Sequence, residues 1–458
     1  MCDVGIAAQL HSELSPQLSS PHLVSEQAPP RWSAFNAPQP GAVVNVKTEA
    51  DVAAAVRYCA SKDIPFLAQN GGSAWSSSFD LGRRGVLINL AALNEVIFNA
   101  DKTQATIGGG SSVKNTINQA SAAKALVVTG NCNCVGTLGA ILGGGFGNLM
   151  GSYGLGVDNV LSMRLVTADG QLHTVTASSE PDLFWALRGA GPNLGIVTSA
   201  VVRSYPTSGA DLMAWSAFVA FSPDKLEQVF QAIQDINLQP AMSVLAYLMP
   251  PGPPESTEPA VIVTMFLHKG NDTAGRAAFA SIFAVGPVEV QTALLPYHQW
   301  NSGADGFCTP GGRKPSYGAG FQTLHPSTWR QIWDKYIGFQ KRPTAHHSIV
   351  LLEVYPMGKV RSVASDSAAY PHRHVNFQAF AIPWYTDESL DTEAKAFGNA
   401  VRDLWRASDG LPRPAGYINF ANGDDTPETV YGDSLPRLRS IKQRFDPYNR
   451  FNQWFNIV

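Results

Sequence analysis

The chain has 458 residues, a hydrophobic fraction of 45% and a net charge of only −3, so it is long enough for two cores and lacks the charge excess of a nucleic-acid binder. No stretch approaches the ~20 apolar residues that a membrane-spanning helix needs, and the N-terminus lacks a basic segment leading into an apolar run and a small-residue cleavage site. A small-molecule ligand, no nucleic-acid or membrane partner, a monomer or homodimer and a cytoplasmic location are the resulting expectations, with secretion left open.

The five cysteines (2, 59, 132, 134 and 308) form no metal-ligand pattern, and an odd number sits poorly with a disulfide framework. Residues 1–30 are rich in Ser, Pro and Gln and read as a mobile arm. From Arg31 the pattern changes. Gly41 to Val46 reads as a strand, and Thr48 caps a helix running to about Lys62, with Val52, Val56 and Cys59 on its buried face. A strand from Pro65 to Ala68 then enters Gln69-Asn70-Gly71-Gly72-Ser73-Ala74-Trp75, where paired glycines permit a tight turn. Val86 to Leu90 and Ala105 to Gly110 read as further strands, and Val113 to Ala123 as a helix.

Glycine density peaks between residues 130 and 158. Gly130-Asn131-Cys132-Asn133-Cys134-Val135-Gly136 is followed by Gly139, by Gly143-Gly144-Gly145-Phe146-Gly147-Asn148 and by Gly156-Val157-Asp158. Neither a helix nor a strand interior tolerates such density, so a flat or charged ligand is expected against bare backbone. Successive backbone N–H groups there could receive pyrophosphate oxygens. A hairpin turns at Ala168-Asp169-Gly170, and Asp182 to Arg188 reads as an aromatic helix running into Gly195-Ile196-Val197-Thr198.

Beyond Tyr205 the composition turns aromatic. Strands are predicted at 214–221, 243–249, 260–267, 348–355 and 377–384, and helices near 224–237, 272–282, 328–340 and 389–405. This grouping implies an antiparallel sheet covered on one face by helices. Tyr247, Glu353, Tyr355, Gln378 and Trp384 are pocket candidates on those strands, although alternation does not tell which face each one uses. Glu353 is a lone carboxylate in an apolar strand, either a base in a pocket or a residue on a wet sheet face. The run Met249 to Pro254 reads as a hairpin connection or a disordered loop.

These stretches resemble the flavin-linked oxidases of the berberine bridge enzyme-like group, within the vanillyl-alcohol oxidase fold. The family's Gly-x-Cys-x-x-Val-Gly places Cys132 at the position that bonds to the flavin ring, and Gly-x-x-x-Asp falls on Gly154 to Asp158. The stretch from Asp182 to Thr198 is the longest match, departing from the family at Ala190, and Tyr417-Ile418-Asn419 matches its Tyr-x-Asn. Bicovalent relatives carry His after Gly-Gly, bonded to the flavin 8-methyl carbon. Ser73 stands there instead, as a hydrogen-bond donor or a spacer.

The resemblance implies an α+β, two-domain chain: a PCMH-type FAD-binding domain at 31–205, an antiparallel-sheet substrate domain backed by helices at 206–414, and a return to the first domain at 415–458. FAD is expected to be monocovalent through Cys132, without the histidyl link. The cofactor-binding candidates are Asn70, Gly71, Gly72, Ser73, Cys132, Val135, Gly136, Gly139, Gly143, Gly144, Gly145, Gly147, Asn148, Gly156, Val157, Asp158, Gly195, Ile196, Val197, Tyr417 and Asn419. The catalytic candidates are Tyr417, provided its pKa is lowered, and Glu353; packing alone is the other reading of Tyr417. The implied activity is oxidation of a small organic, secondary-metabolite substrate by hydride transfer to flavin N5, with O2 as reoxidant. The alternative is a cyclase of the Diels–Alder type, in which flavin is structural or serves an earlier oxidation. No metal is expected.

Overall fold

The computed structural model describes residues 5–74, 77–251 and 258–458. Among the described residues the strands form three sheets. The first joins Val24–Ser25, Ala42–Asn45, Val86–Asn89 and Phe66–Gln69, the last three mutually parallel. The second runs in the order Val96–Phe98, Gln104–Gly108, Ile196–Pro206, Val160–Val166, Leu172–Thr176, with Ala125–Val127 also paired to Ile196–Pro206. The helix Glu49–Ser61 is capped by Thr48, which accepts from the Asp51 amide, and it buries Val52, Val56 and Cys59 as its spacing requires.

The third sheet is antiparallel throughout, in the order Glu289–Pro296, Met213–Phe221, Ala260–His268, Met242–Met249, Ile349–Val354, Phe377–Ile382, Tyr317–Phe321. Helices Leu226–Asp235, Pro326–Gln340 and Asp391–Ala407 cover one face, and side chains such as Trp329, Trp333 and Trp405 pack there against Val350, Leu352 and Val354. The opposite face turns toward the glycine-rich loops of residues 69–74 and 130–147. Two of its strands escape the sequence pattern. Glu289–Pro296 is an exposed edge without alternation, and Tyr317–Phe321 (YGAGF) carries two glycines.

Residues 5–25 correct the expectation of a mobile arm. The helix Ile6–Glu13 buries Leu10, Leu14 is buried just after it, and both join the core beneath the first sheet, while Val24 pairs with Val44. Two apolar side chains four residues apart outweigh a polar composition. Residues 1–4, 75–76 and 252–257, the second including Trp75 of the glycine turn and the last including half of the proline-rich run, lie outside the described residues.

The last part of the chain returns to the first domain. Lys442 is fully buried, and its ammonium donates to Asn193 O at 2.7 Å, Phe451 O at 2.8 Å and Asp446 Oδ2 at 2.7 Å. All three ammonium protons are therefore satisfied. The hydroxyl of Tyr431 accepts from Asn193 Nδ2 and donates to Phe455 O.

Candidate active site

A cavity of about 380 Å³ lies between the glycine-rich loops and the open face of the antiparallel sheet. Strand register decides which side chains reach it. Leu245 and Tyr247, Ile349, Leu351 and Glu353, and Phe380 and Ile382 line it, whereas the residues between them pack under the helices. Tyr355, two residues beyond Glu353, also lines the cavity. Gln378 shares this face and Trp384 sits against Lys314, but neither reaches the lining.

On the opposite wall the strand Phe66–Gln69 leads into Asn70-Gly71-Gly72-Ser73. Asn70 donates to Ser111 O at 3.0 Å and holds this turn. Beside it lies the loop carrying Cys132, Val135, Gly136 and Gly139. Tyr417 and Asn419 form a third side, with Asn419 Nδ2 donating to Ala140 O at 2.9 Å and to the Tyr417 hydroxyl at 2.8 Å.

One polarised run of hydrogen bonds ends at the carboxylate. Ser243 Oγ donates to Asn148 Oδ1 (2.7 Å), the Asn148 backbone N–H to Asn131 Oδ1 (3.0 Å), Asn131 Nδ2 to the Tyr355 hydroxyl (2.7 Å), and that hydroxyl to Glu353 Oε2 (2.9 Å). Burial among apolar side chains raises the Glu353 carboxyl to about 7, and the Tyr355 bond partly opposes this rise. Burial also pushes the Tyr417 hydroxyl upward, despite bonds from Asn419 and the Gly145 amide. The lowered pKa that a tyrosine base requires is thus missing from Tyr417, whereas burial brings the Glu353 carboxyl close to neutrality.

The cysteines depart from the sequence expectation. Cys134 and Cys308 form a disulfide across 174 residues, joining the glycine-rich loop to the 3₁₀ segment Ser302–Cys308. The Cys132 sulfur remains a thiol, 3.5 Å from the Cys134 sulfur and 3.9 Å from that of Cys308. Burial raises its pKa, and the charges of Asp305 and Glu353 add to the effect.

The cavity's donor set suits FAD. Gln69 Nε2 and Trp454 Nε1 are buried donors in its wall without a protein partner among the described residues, and a Cβ built on Gly139 would meet open space. Unsatisfied buried donors call for a polar ligand.

The matches to known families fall on these same walls. Residues 40–176 match the model of an FAD binding domain, and residues 416–457 match the model described as berberine and berberine like. The FAD-linked oxidoreductase OXR1 of Pyricularia oryzae is 33% identical over 437 residues, covering 93% of this chain and 85% of that protein. The chain belongs to the berberine bridge enzyme-like family of FAD-linked oxidoreductases. A second relative, the FAD-linked oxidoreductase fmqD of Aspergillus fumigatus, is 32% identical over 92% of this chain and 86% of its own. Among solved structures, BBE-like 1 of Physcomitrella patens superposes with a TM-score of 0.79 at 20% identity, over 92% of both chains. The xylooligosaccharide oxidase of Myceliophthora thermophila superposes with a TM-score of 0.80 at 21% identity, over 98% of this chain and 99% of that one. At these identities the structures establish the shared two-domain α+β fold.

Within this family fold, several residues of the glycine-rich signature lie behind the cavity wall. A Cβ on Gly143 would collide with Asn419 Oδ1, and one on Gly144 would press on Tyr417 and Tyr370. Gly145 packs on Gly156, and Gly147 on Thr129 O. Asn148 serves the hydrogen-bond run, and Val157 is buried with Phe146 and Tyr417. Asp158 is committed to Arg373, whose Nη2 and Nη1 donate to its two oxygens at 2.5 and 2.9 Å. Gly195 abuts Val166 O, and Ile196 and Val197 pair with Val166 and Leu165 inside the second sheet. Much of the glycine content therefore serves close approach of chain to chain, a demand the sequence does not distinguish from close approach to a ligand. Sequence reasoning missed Arg31, Gln69, Asn131, Phe146 and Trp454 as lining residues. Gln69, Asn131 and Phe146 stood inside the quoted stretches, and no local pattern marked Arg31 or Trp454.

Proposed function

We propose that this FAD-linked oxidoreductase is an oxidase of a small, largely apolar organic alcohol or hydroxylated secondary metabolite. The observation that carries the reading is Glu353, the one carboxyl group among the described lining residues, set in a largely apolar sheet face opposite Cys132, Tyr417 and Asn419. FAD, when bound, accepts a hydride from a substrate C–H at its N5 and passes the electrons to dioxygen. Cys132 tethers the cofactor as a single covalent link, because Ser73 offers no imidazole for a second. Asn70, Gly71, Gly72, Ser73, Val135, Gly136 and Gly139 form the cradle, and Asn419 supplies a donor to the ring's polar edge.

Glu353 in its carboxylate form takes the proton of the substrate hydroxyl as the C–H bond breaks. Tyr355, held by Asn131, fixes the carboxylate's orientation. Leu245, Ile349, Leu351, Phe380 and Ile382 exclude water and favour an apolar carbon frame over a sugar. The relatives reported above are named oxidoreductases and an oxidase, which supports oxidation ahead of the cyclisation alternative.

The test joins two measurements on wild type, Cys132→Ala and Glu353→Gln. Denaturing precipitation should retain flavin in the pellet of wild type and Glu353→Gln and release it from Cys132→Ala. A panel of apolar alcohols should give hydrogen peroxide and a product two mass units lighter with wild type, and far less with Glu353→Gln. A product of unchanged mass, formed equally well without oxygen, would overturn the oxidase reading.

A further inference from the structure

Three sulfurs converge on the Cys132 side of the cavity. Those of Cys132, Cys134 and Cys308 all lie within 4.8 Å of one another, close enough for any two to pair after a small side-chain movement. Of the three possible disulfides, two consume Cys132. Only the observed pair, Cys134 with Cys308, leaves it free.

We propose that the Cys134–Cys308 disulfide is a protecting bridge that reserves Cys132 as the only cysteine thiol facing the cavity among the described residues and so determines where FAD becomes attached. The inference rests on the reading that Cys132 carries the flavin. Cys134 and Cys308 are then positioning residues for a modification made by their neighbour.

The structure supplies the means by which the correct pair is selected. The segment Ser302–Cys308 docks on the glycine-rich loop through bonds that need no sulfur: Asn133 Nδ2 donates to Asp305 Oδ1 at 2.6 Å, and Asn301 Nδ2 donates to Gly130 O at 3.2 Å. Docked this way, the Cα atoms of Cys134 and Cys308 stand 5.7 Å apart, inside the usual range for a bridge. Closing the bridge removes two thiol protons and passes two electrons to a small-molecule disulfide or dioxygen. Attachment then proceeds at Cys132: its thiol proton is lost, a C–S bond replaces a ring C–H bond of the flavin, and the two electrons released go to dioxygen. The competing path is exchange, in which the Cys132 thiolate attacks Cys134 or Cys308, a new S–S bond forms, the old one breaks and the displaced sulfur leaves as thiolate. Burial, with Asp305 and Glu353 nearby, keeps Cys132 protonated and slows that attack.

The test compares wild type, Cys134→Ser, Cys308→Ser and the double variant Cys134→Ser/Cys308→Ser by non-reducing peptide mass mapping and by the fraction of flavin surviving denaturation. In each single variant the orphaned thiol is expected to capture Cys132 in a disulfide, with loss of most covalent flavin. The double variant has no competing thiol and should recover wild-type attachment. Single variants in which Cys132 stays free and fully flavinylated would overturn the proposal. So would a double variant as poorly flavinylated as the singles, which would mean that the bridge acts through shape alone. Should a variant fail to fold, wild-type protein produced under flavin limitation, so that Cys132 bears no flavin, is reduced and reoxidised with oxidised glutathione. Recovery of the Cys134–Cys308 pair with Cys132 open to alkylation supports the bridge, and a scrambled mixture of pairs overturns it. Mapping needs no flavin, so it decides the protecting role separately from the linkage: flavin released from the wild-type pellet would refute attachment at Cys132 whatever the map.

Discussion

The Tyr355 hydroxyl donates a 2.9 Å hydrogen bond to Oε2 of Glu353, two residues earlier, and both side chains face the cavity. This bond is the opposing influence on a carboxyl that burial drives to about 7. Tyr355→Phe removes it, so the carboxyl should ionise at still higher pH. The expected result is a pH–rate profile whose acid limb moves toward alkali, with activity at pH 7 reduced and activity at high pH largely kept. An unmoved profile would show that the bond has no bearing on the base.

Glu353→Gln should retain bound flavin and lose roughly 10²–10⁴-fold in kcat, the usual contribution of a positioned base. Folding raises this carboxyl from 4.5 to about 7, so the folded state keeps a proton that the unfolded chain has already released. The stability this contributes is complete below about 4.5 and is lost as pH rises to about 7. The glutamine variant should therefore unfold at higher urea than wild type at pH 8 and show less advantage at pH 4.5.

Asp158 and Arg373 test a different role. Their side chains are about 6% and 5% exposed, and both carboxylate oxygens accept from the guanidinium. Asp158→Ala leaves the Arg373 charge buried without its partner and should cost about 3–5 kcal/mol in urea unfolding. A loss of FAD affinity with unchanged stability would instead assign Asp158 to the cofactor.

Lys442→Met should destabilise by a similar margin of about 3–5 kcal/mol, because Asp446 then remains as a buried carboxylate facing an apolar chain. Limited proteolysis should cleave first beyond residue 445, since the ammonium also holds Phe451 O.

Gln69→Leu removes an unsatisfied donor from the cavity wall. In a Cys132→Ala background, where binding is reversible, FAD affinity should fall about threefold to tenfold, the worth of one hydrogen bond. Unchanged affinity would show that Gln69 Nε2 meets no atom of the cofactor.

The flavin half of the molecule was legible because its signals are local and dense: the Thr48 cap, the turn at Gly71-Gly72 and the run from Cys132 to Gly136 each sit in one short stretch. The substrate face was not, because the strand Ile349–Val354 is buried on both sides, so that Val350 and Leu352 look no different from Ile349 and Leu351. Only pairing with Met242–Met249 and Phe377–Ile382 shows which way Glu353 points. The partner of Cys134 lies 174 residues away, in a segment with no pattern of its own. Leu10 and Leu14 were hidden by the serines and prolines that follow them.

The bond from Lys442 to Asn193 O joins residues about 250 positions apart, and Tyr417, Asn419 and Trp454 supply one side of a cavity whose other walls include Gln69 to Ser73 and Cys132. During synthesis the glycine-rich loops leave the ribosome long before that side exists. Stable capture of the cofactor must therefore wait until residues 417–454 have been made, and a nascent chain stalled ahead of residue 416 should carry no tightly held flavin, however well its first domain has folded.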